Sequence, residues 1–176
     1  MALMEPPAAP NTVPWPPIIY GSAALAAWLL NLLLATGGII PPVLHPVGAT
    51  LMLAGLALDL AAMVSMYLRR ANILPHRAAT ALVTSFPFSI SRNPIYLGNT
   101  ILLAGAALAF GNLWFAVLDA VAVQAVTTLA IKREEAHLAA LFGLEWQHYT
   151  KRVPRWLKLC FSRVDNGKPK VNWRPN

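Results

Sequence analysis

Long apolar runs, separated by short clusters of proline, glycine or charged residues, dominate the hydrophobic pattern of this chain. A helix needs about 20 mainly apolar residues to cross the hydrocarbon core of a bilayer. Four runs come close to that length, and each is predicted to form one membrane-spanning helix. They are residues 18–34, 47–68, 94–110 and 113–131.

The breaks between these runs carry residues that start or end helices. Pro16 and Pro17 precede the first run, where a first helical turn tolerates their missing N–H groups. Gly37-Gly38 and Pro41-Pro42 separate the first run from the second, and Gly111-Asn112 separate the third from the fourth. Because that last break is so short, the third and fourth spans should form a close hairpin.

A fifth helix is predicted after the fourth run by the spacing of its apolar residues. Leu138, Leu141, Phe142 and Trp146 recur at intervals of three and four residues. This spacing is typical of an amphipathic helix that lies on or against a membrane.

Composition supports a membrane protein. The 176-residue chain is 57% hydrophobic and only 12% charged, with a mean hydropathy of +0.53, whereas soluble domains carry about 25% charged residues. No Asp, Glu, Lys or Arg occurs between Glu5 and Asp59. The single cysteine, Cys160, excludes an internal disulfide, and together with four scattered histidines it predicts no metal site.

The distribution of positive charge predicts the orientation. All fourteen Lys and Arg follow the second run, four of them before the third run and ten from Lys132 onward. By the positive-inside bias, both regions and both termini face the cytoplasm. The net charge of +7 then reflects topology and attraction to anionic lipid. The bilayer is the expected partner, and neither nucleic acid nor an obligate protein partner is expected.

These elements define the predicted architecture. The fold class is an all-α integral membrane protein with about four transmembrane helices and a cytoplasmic amphipathic C-terminal helix. A proline-rich tail occupies residues 1–17, the membrane domain 18–158 and a basic tail 159–176.

Two polar segments, 80–96 and 132–154, leave spans at the same predicted face and could close over one cavity. Their motifs resemble those of a known family. LVTS is followed by RNPIYLG, and after the third and fourth runs comes EE-x-x-L-x-x-x-FG-x-E-x-x-x-Y-x-KRVP. This pattern resembles isoprenylcysteine carboxyl methyltransferases and their bacterial relatives and, more distantly, phospholipid N-methyltransferases. The matching stretches cover residues 72–98 and 134–154.

The resemblance implies a methyltransferase that binds S-adenosylmethionine without a Rossmann sheet and modifies a lipophilic small molecule. The acceptor would be an isoprenylcysteine-type carboxylate or another lipid-like compound, and the bacterial inner membrane is favoured over the endoplasmic reticulum. The implied cofactor contacts are Thr80, Ala81, Leu82, Val83, Phe88, Asn93, Pro94, Ile95, Tyr96 and Glu134.

The residue types suit this cofactor. Glu134 offers a carboxylate to its ribose or amino groups, and Phe88 and Tyr96 offer aromatic walls to its adenine. Arg92, beside the start of a helix, suits the cofactor's own carboxylate, because a helix N-terminus carries free N–H groups and partial positive charge.

Methyl transfer from a sulfonium is an in-line displacement, so alignment and exclusion of water contribute most of the acceleration. A carboxylate acceptor needs only a positioning cation, whereas an amine acceptor must lose a proton to a base or relay such as Glu135 or His148. The catalytic candidates are Arg92, Arg152 and Glu135, and the substrate-binding candidates are Arg133, His148 and Tyr149.

Four positions depart from the pattern of the prenylcysteine enzymes. Asn93 replaces a usual histidine, Ala130 replaces a substrate-contacting arginine, and Phe86 and Phe88 replace a usual glycine and tyrosine. The basic pair at 132–133 could compensate for Ala130.

Two other functions stay open: an NADPH-dependent reductase of the sterol-reductase type, and a lipid-binding membrane protein without catalysis. Asp59 and Asp119 lie within spans, where a charge costs at least about 2.5 kcal/mol. They are expected to face the bundle interior, with Asn99 or Gln124 as hydrogen-bond partners for Asp119.

Overall fold

The computed structural model describes residues 15–71 and 81–157, and every regular element within these stretches is helical. In chain order the helices are α1 (Trp15–Leu33), α2 (His45–Leu68), α3 (Pro94–Ala109), α4 (Leu113–Val126) and α5 (Lys132–Arg152). A 3₁₀ turn, Pro42–Leu44, precedes α2, and a π-helical turn, Thr127–Ile131, joins α4 to α5. The predicted all-helical fold is confirmed for the described residues.

Three helical stretches are long and apolar enough to cross a membrane: Trp15–Leu33, Pro42–Leu68 and Leu113–Arg152. α3 is also apolar but contains only 16 residues. Large apolar side chains such as Leu53 and Leu68 are exposed on these helices. Their exposure is expected where the surroundings are lipid rather than water, because lipid tails are as apolar as leucine.

The first two helices begin slightly earlier than the apolar runs predict. α1 starts at Trp15 rather than at residue 18, so Pro16 and Pro17 lie in its first turn, where their missing N–H groups cost nothing. α2 starts at His45 rather than at residue 47. The rest of the predicted N-terminal tail and all of the predicted C-terminal tail lie outside the described residues.

α2 and α3 pack antiparallel with their backbones in close approach. Glycines seven residues apart line the contact, Gly48 and Gly55 on α2 and Gly98 and Gly105 on α3. A Cβ atom added to Gly55 would lie 2.6 Å from the carbonyl oxygen of Gly98, which is closer than atoms can approach. Small residues of this kind let helices meet in a membrane and gain dispersion contacts along their backbones.

α1 and α4 complete the bundle around α3. Gly111 has a φ of 62° in the turn after α3, and the side chain of Asn112 then caps α4 by accepting from the amide of Trp114 at 3.0 Å. The Asn112 Nδ2 group donates to the carbonyl oxygen of Ala27 in α1 at 3.2 Å. The predicted hairpin between the third and fourth runs is confirmed.

α4, the π-helical turn and the first part of α5 form one continuous helical stretch that ends at Gly143, where a φ of 47° and a ψ of −113° break the helix and favour glycine. The stretch has about 30 residues and, at 1.5 Å per residue, is about 45 Å long, which exceeds the thickness of a hydrocarbon core. It continues past Ile131 because Lys132 to Glu135 are good helix formers without an intervening glycine or proline. The first part of the predicted C-terminal helix therefore continues α4, and Gly143 separates it from the second part.

The end of the bundle where α2 ends, α3 begins and α4 passes into α5 is called the basic end below. It carries Arg69, Arg70, Arg92, Lys132 and Arg133. The opposite end carries the Gly37–Pro42 connection and the α3–α4 turn.

Candidate active site

The loop that leads into α3 contacts the part of α5 that follows Gly143. Val83 is buried, and the hydroxyl of Tyr149 donates to the carbonyl oxygen of Phe88 at 2.7 Å. Tyr149 packs with Trp146 in an apolar cluster that includes Leu82. The bend at Gly143 thus lies between the half of α5 that continues α4 and the half that contacts this loop.

The segment that follows α5 is hydrogen-bonded to the residues at the start of α3. The carbonyl oxygen of Pro154 accepts from the amide of Arg92 at 3.0 Å. The carbonyl oxygen of Arg155 accepts from the hydroxyl of Ser91 at 3.2 Å and from Nδ2 of Asn93 at 3.1 Å. Asn93 and Ser91 are buried, so the main chain on both sides of Arg92 is held by two consecutive carbonyl groups.

Three charged side chains meet at this point. Glu135 accepts two hydrogen bonds from Arg155, from Nε at 3.0 Å and from Nη2 at 2.6 Å. The Glu135 Oε1 atom also lies 3.1 Å from Nη1 of Arg92. The Glu135 and Arg92 side chains are only 13% and 15% exposed. Hydrogen bonding to Glu135 raises the pKa of the Arg155 guanidinium above its ordinary value.

Arg92 has a further contact and an unused donor. Its guanidinium carbon lies 5.8 Å from the ring centroid of Trp146, within the range of a cation–π contact. Its Nε group is buried and has no hydrogen-bond partner among the described residues. Next to it, α3 begins without a side-chain cap, and Pro94 supplies no N–H group. This corner of the site therefore offers N–H donors and positive charge to an anion.

A second carboxylate lies one residue earlier on α5. The Tyr96 hydroxyl donates to Oε1 of Glu134 at 2.7 Å, which joins the first turn of α3 to the first turn of α5. The Tyr20 hydroxyl lies 3.1 Å from the carbonyl oxygen of Tyr96 and 2.9 Å from Oγ1 of Thr100. α1 is thereby tied to the same corner of the bundle.

The structure brings most of the predicted site residues to the basic end. The predicted residues in the loop before α3 and in its first turn are buried or half-buried, as are Glu134, Glu135 and Tyr149. Thr80 lies outside the described residues. Arg133, His148 and Arg152 are exposed, and the Nε group of Arg152 donates to the carbonyl oxygen of His148 on its own helix at 3.3 Å.

Two features of the site were missed by sequence reasoning. Arg155, which is not among the predicted site residues, is paired with Glu135, and the buried ring of Trp146 lies against the Arg92 guanidinium. The arginine spacing after Tyr149 gave no reason to prefer Arg155 over Arg152. Ala130 is fully buried among core residues, so the position of the resembled family's arginine is closed to a charged side chain here.

Asp119 does not have the amide partner that was expected for it. Asn99 donates to the carbonyl oxygen of Ile95 on its own helix at 2.8 Å, and Gln124 is exposed. Asp119 is buried as predicted, yet its Oδ1 atom, like that of Asp59, has no partner among the described residues. The Asp59 carboxylate packs against the face of Gly98 where a side chain would be.

Comparison with known proteins gives one match. A family model described as phospholipid methyltransferase matches residues 43–145, more than half of the chain. The match includes α2, α3, α4 and the first part of α5, and so contains Arg92, Tyr96, Glu134 and Glu135, whereas Arg155 follows it. No curated protein and no solved structure matches the chain.

Proposed function

The chain belongs to the phospholipid methyltransferase family, and from this membership we propose that it methylates a lipophilic acceptor with S-adenosylmethionine as methyl donor. The family is one of membrane methyltransferases that act on lipid-like substrates. The cofactor and the kind of acceptor are our inference from the residues at the basic end.

The donor groups at that end fit the cofactor. The unpartnered Nε group of Arg92 and the uncapped start of α3 suit the cofactor's carboxylate, which is an anion with several acceptor sites. Glu134, held by Tyr96, suits its ribose hydroxyls or its ammonium group. Phe88 and Tyr96 are the aromatic candidates for contact with the adenine. The single observation that carries the cofactor assignment is the buried Nε group of Arg92, which has no hydrogen-bond partner among the described residues.

When bound, the cofactor supplies a methyl group already activated by a sulfonium. The protein then has to align the acceptor with that methyl group and keep water away. Trp146, Tyr149 and Val153 form a buried apolar cluster beside Arg92 that serves the second purpose. Both oxygens of Glu135 are bonded to arginines, so in our proposal it orients Arg92 and is not the base for an amine acceptor.

We further propose that all four helices α1 to α4 cross the membrane and that the basic end faces the cytoplasm. The distribution of lysine and arginine supports this orientation. The acceptor then reaches the site from the inner leaflet, with its tail in the bilayer. In our proposal the exposed Arg133, His148 and Arg152 form the outer rim of the site and meet the acceptor's polar head.

Calorimetry of the detergent-purified full chain tests the function directly. Titration with S-adenosylhomocysteine should give saturable binding with one site per chain, and titration with NADPH should give none. Saturable binding of NADPH and no response to S-adenosylhomocysteine would instead favour a reductase. Absence of binding to either ligand by a folded, monodisperse sample would contradict the methyltransferase proposal.

A further inference from the structure

The segment after α5 lies beyond the family match but contacts the centre of the site. Its Pro154 and Arg155 carbonyl groups bond the residues on both sides of Arg92, and its Arg155 side chain bonds Glu135. Two kinds of contact, through the main chain and through the guanidinium, therefore converge on the same arginine. A simple connector to a C-terminal tail would need neither.

From these contacts we propose that Arg155 is a positioning residue of the methyl-transfer site, which acts through Glu135 to hold the Arg92 side chain oriented toward the donor's carboxylate. This inference rests on the proposed function. It assigns to Arg155 a role that neither the family match nor the quoted motifs contain.

The geometry of the carboxylate explains how Arg155 orients Arg92. An arginine fork that donates from both Nε and Nη2 fixes the plane of a carboxylate, because both oxygens are engaged at once. The Oε1 atom that contacts Arg92 is then fixed in position. A lysine in place of Arg155 would keep the charge but lose the fork, and Glu135 could rotate about its side-chain bonds.

The charge balance explains why two arginines are needed. Glu135 alone with Arg92 would form a neutral pair, and little positive charge would remain to attract an anion. With Arg155 included, the group of two guanidinium ions and one carboxylate carries a net charge of +1. Arg155 is more exposed, at 36% for its side chain, than Arg92 at 15%, so the less hydrated charge belongs to Arg92. The unpartnered Nε group lies on that same residue.

A double-mutant cycle on cofactor affinity tests the inference. The variants are Arg155→Met, Arg92→Met and the double variant, with Lys151→Met as a matched control, because Lys151 is exposed and outside the site. Affinity for S-adenosylhomocysteine is measured by calorimetry, and the unfolding temperature is measured for each variant. A purely structural role of Arg155 would lower the unfolding temperature and leave the affinity unchanged.

We expect Arg155→Met to weaken binding about ten-fold, in the range of coupling within one salt-bridge network. In the Arg92→Met background, Arg155→Met should have little further effect on the affinity, because the side chain that Arg155 orients is already absent. Arg155→Lys should fall between wild type and Arg155→Met and replaces it in the cycle if the methionine variant does not fold. Lys151→Met should bind like wild type.

The outcomes separate this inference from the proposed function. If wild type fails to bind S-adenosylhomocysteine, the proposed function is wrong. If wild type binds and the Arg155 variants bind equally well, only the role of Arg155 is wrong. Equal losses from Arg155→Met in the wild-type and Arg92→Met backgrounds would show that Arg155 acts independently of Arg92, which also overturns the inference.

Discussion

Individual side chains at the basic end are arranged so that each carboxylate has a different task. Glu135 is bonded to two arginines, while Glu134, its neighbour, accepts from the Tyr96 hydroxyl. Adjacent residues on a helix point about 100° apart, which allows these separate environments. A largely buried ion pair stabilises the fold only while its hydrogen bonds are complete, so removal of one partner strongly lowers the free energy of unfolding.

Glu134→Gln should weaken the affinity for S-adenosylhomocysteine. The substitution removes the charge of a group that we place against the cofactor's hydroxyl or ammonium groups. The expected loss is about 1.5–3 kcal/mol, or roughly ten- to a hundred-fold in the dissociation constant measured by calorimetry.

The control for this prediction is Glu145→Gln on the exposed side of α5, which should bind like wild type. An unchanged dissociation constant for Glu134→Gln, in a variant whose unfolding temperature is normal, would remove Glu134 from the cofactor site.

The limits of sequence reasoning at this scale are clear from the arginines. Arg92 was identified because RNPIYLG marks the start of a helix, where an anion site is chemically sensible. Arg152 lies within the KRVP end of the second motif, and Arg155 directly follows that motif, so two equally basic residues lie three positions apart. The choice between them depends on how the chain turns after Val153, where the backbone becomes extended. A single sequence contains no periodic signal for that turn.

At the scale of helices, apolar run length and proline or glycine breaks predicted four of the elements to within a few residues. The π-helical turn at Thr127–Ile131 was not predictable in this way. Its residues are apolar or small and fit an α-helix equally well, and the widened turn arises from tertiary packing, in which Ala130 and Ile131 are fully buried. π-helical turns of this kind often lie at functional sites.

The π-helical turn should absorb one extra residue without changing the direction in which α5 faces. It accommodates one residue more than an α-helical turn would, so deletion of Thr128 should restore a regular helix. Because both kinds of turn complete about the same rotation, Glu134 should still face Tyr96 and Glu135 should still face Arg92. We expect the deletion variant to retain binding of S-adenosylhomocysteine, measured by calorimetry.

Thr128→Ala is the matched control for the deletion. Thr128 is exposed and its hydroxyl bonds only carbonyl oxygens of its own helix, those of Gln124 and Ala125. The alanine variant keeps the residue count and should retain binding. Loss of binding in the deletion variant, with binding retained by Thr128→Ala, would show that the extra residue itself is needed to align the two glutamates.

For the whole molecule, the positive charge gathers at one end of the helical bundle, and this predicts its orientation in the membrane. In a Cys160→Ser background, single cysteines at Gly37 and Phe110 should react with an impermeant reagent only from outside. A cysteine at Ser89 should react only from inside. All three positions are exposed, and Ser89 and Phe110 flank α3.

The comparison of Ser89 with Phe110 decides whether the 16-residue α3 crosses the bilayer. Reactivity of both from the same side would contradict a four-span arrangement. Wild-type vesicles that keep Cys160 report whether the reagent reaches the inner compartment.

The glycine contact between α2 and α3 also determines the paths along which a lipid tail can travel. The contact between α2 and α3 has no room for one added carbon at Gly55 or Gly105, so it has no room for an acyl or prenyl chain. A lipid tail could pass between these two helices only if they separated and lost their backbone contact. An acceptor that enters from the bilayer must therefore pass beside α1 or α4, where larger side chains can change rotamer while the helices stay packed.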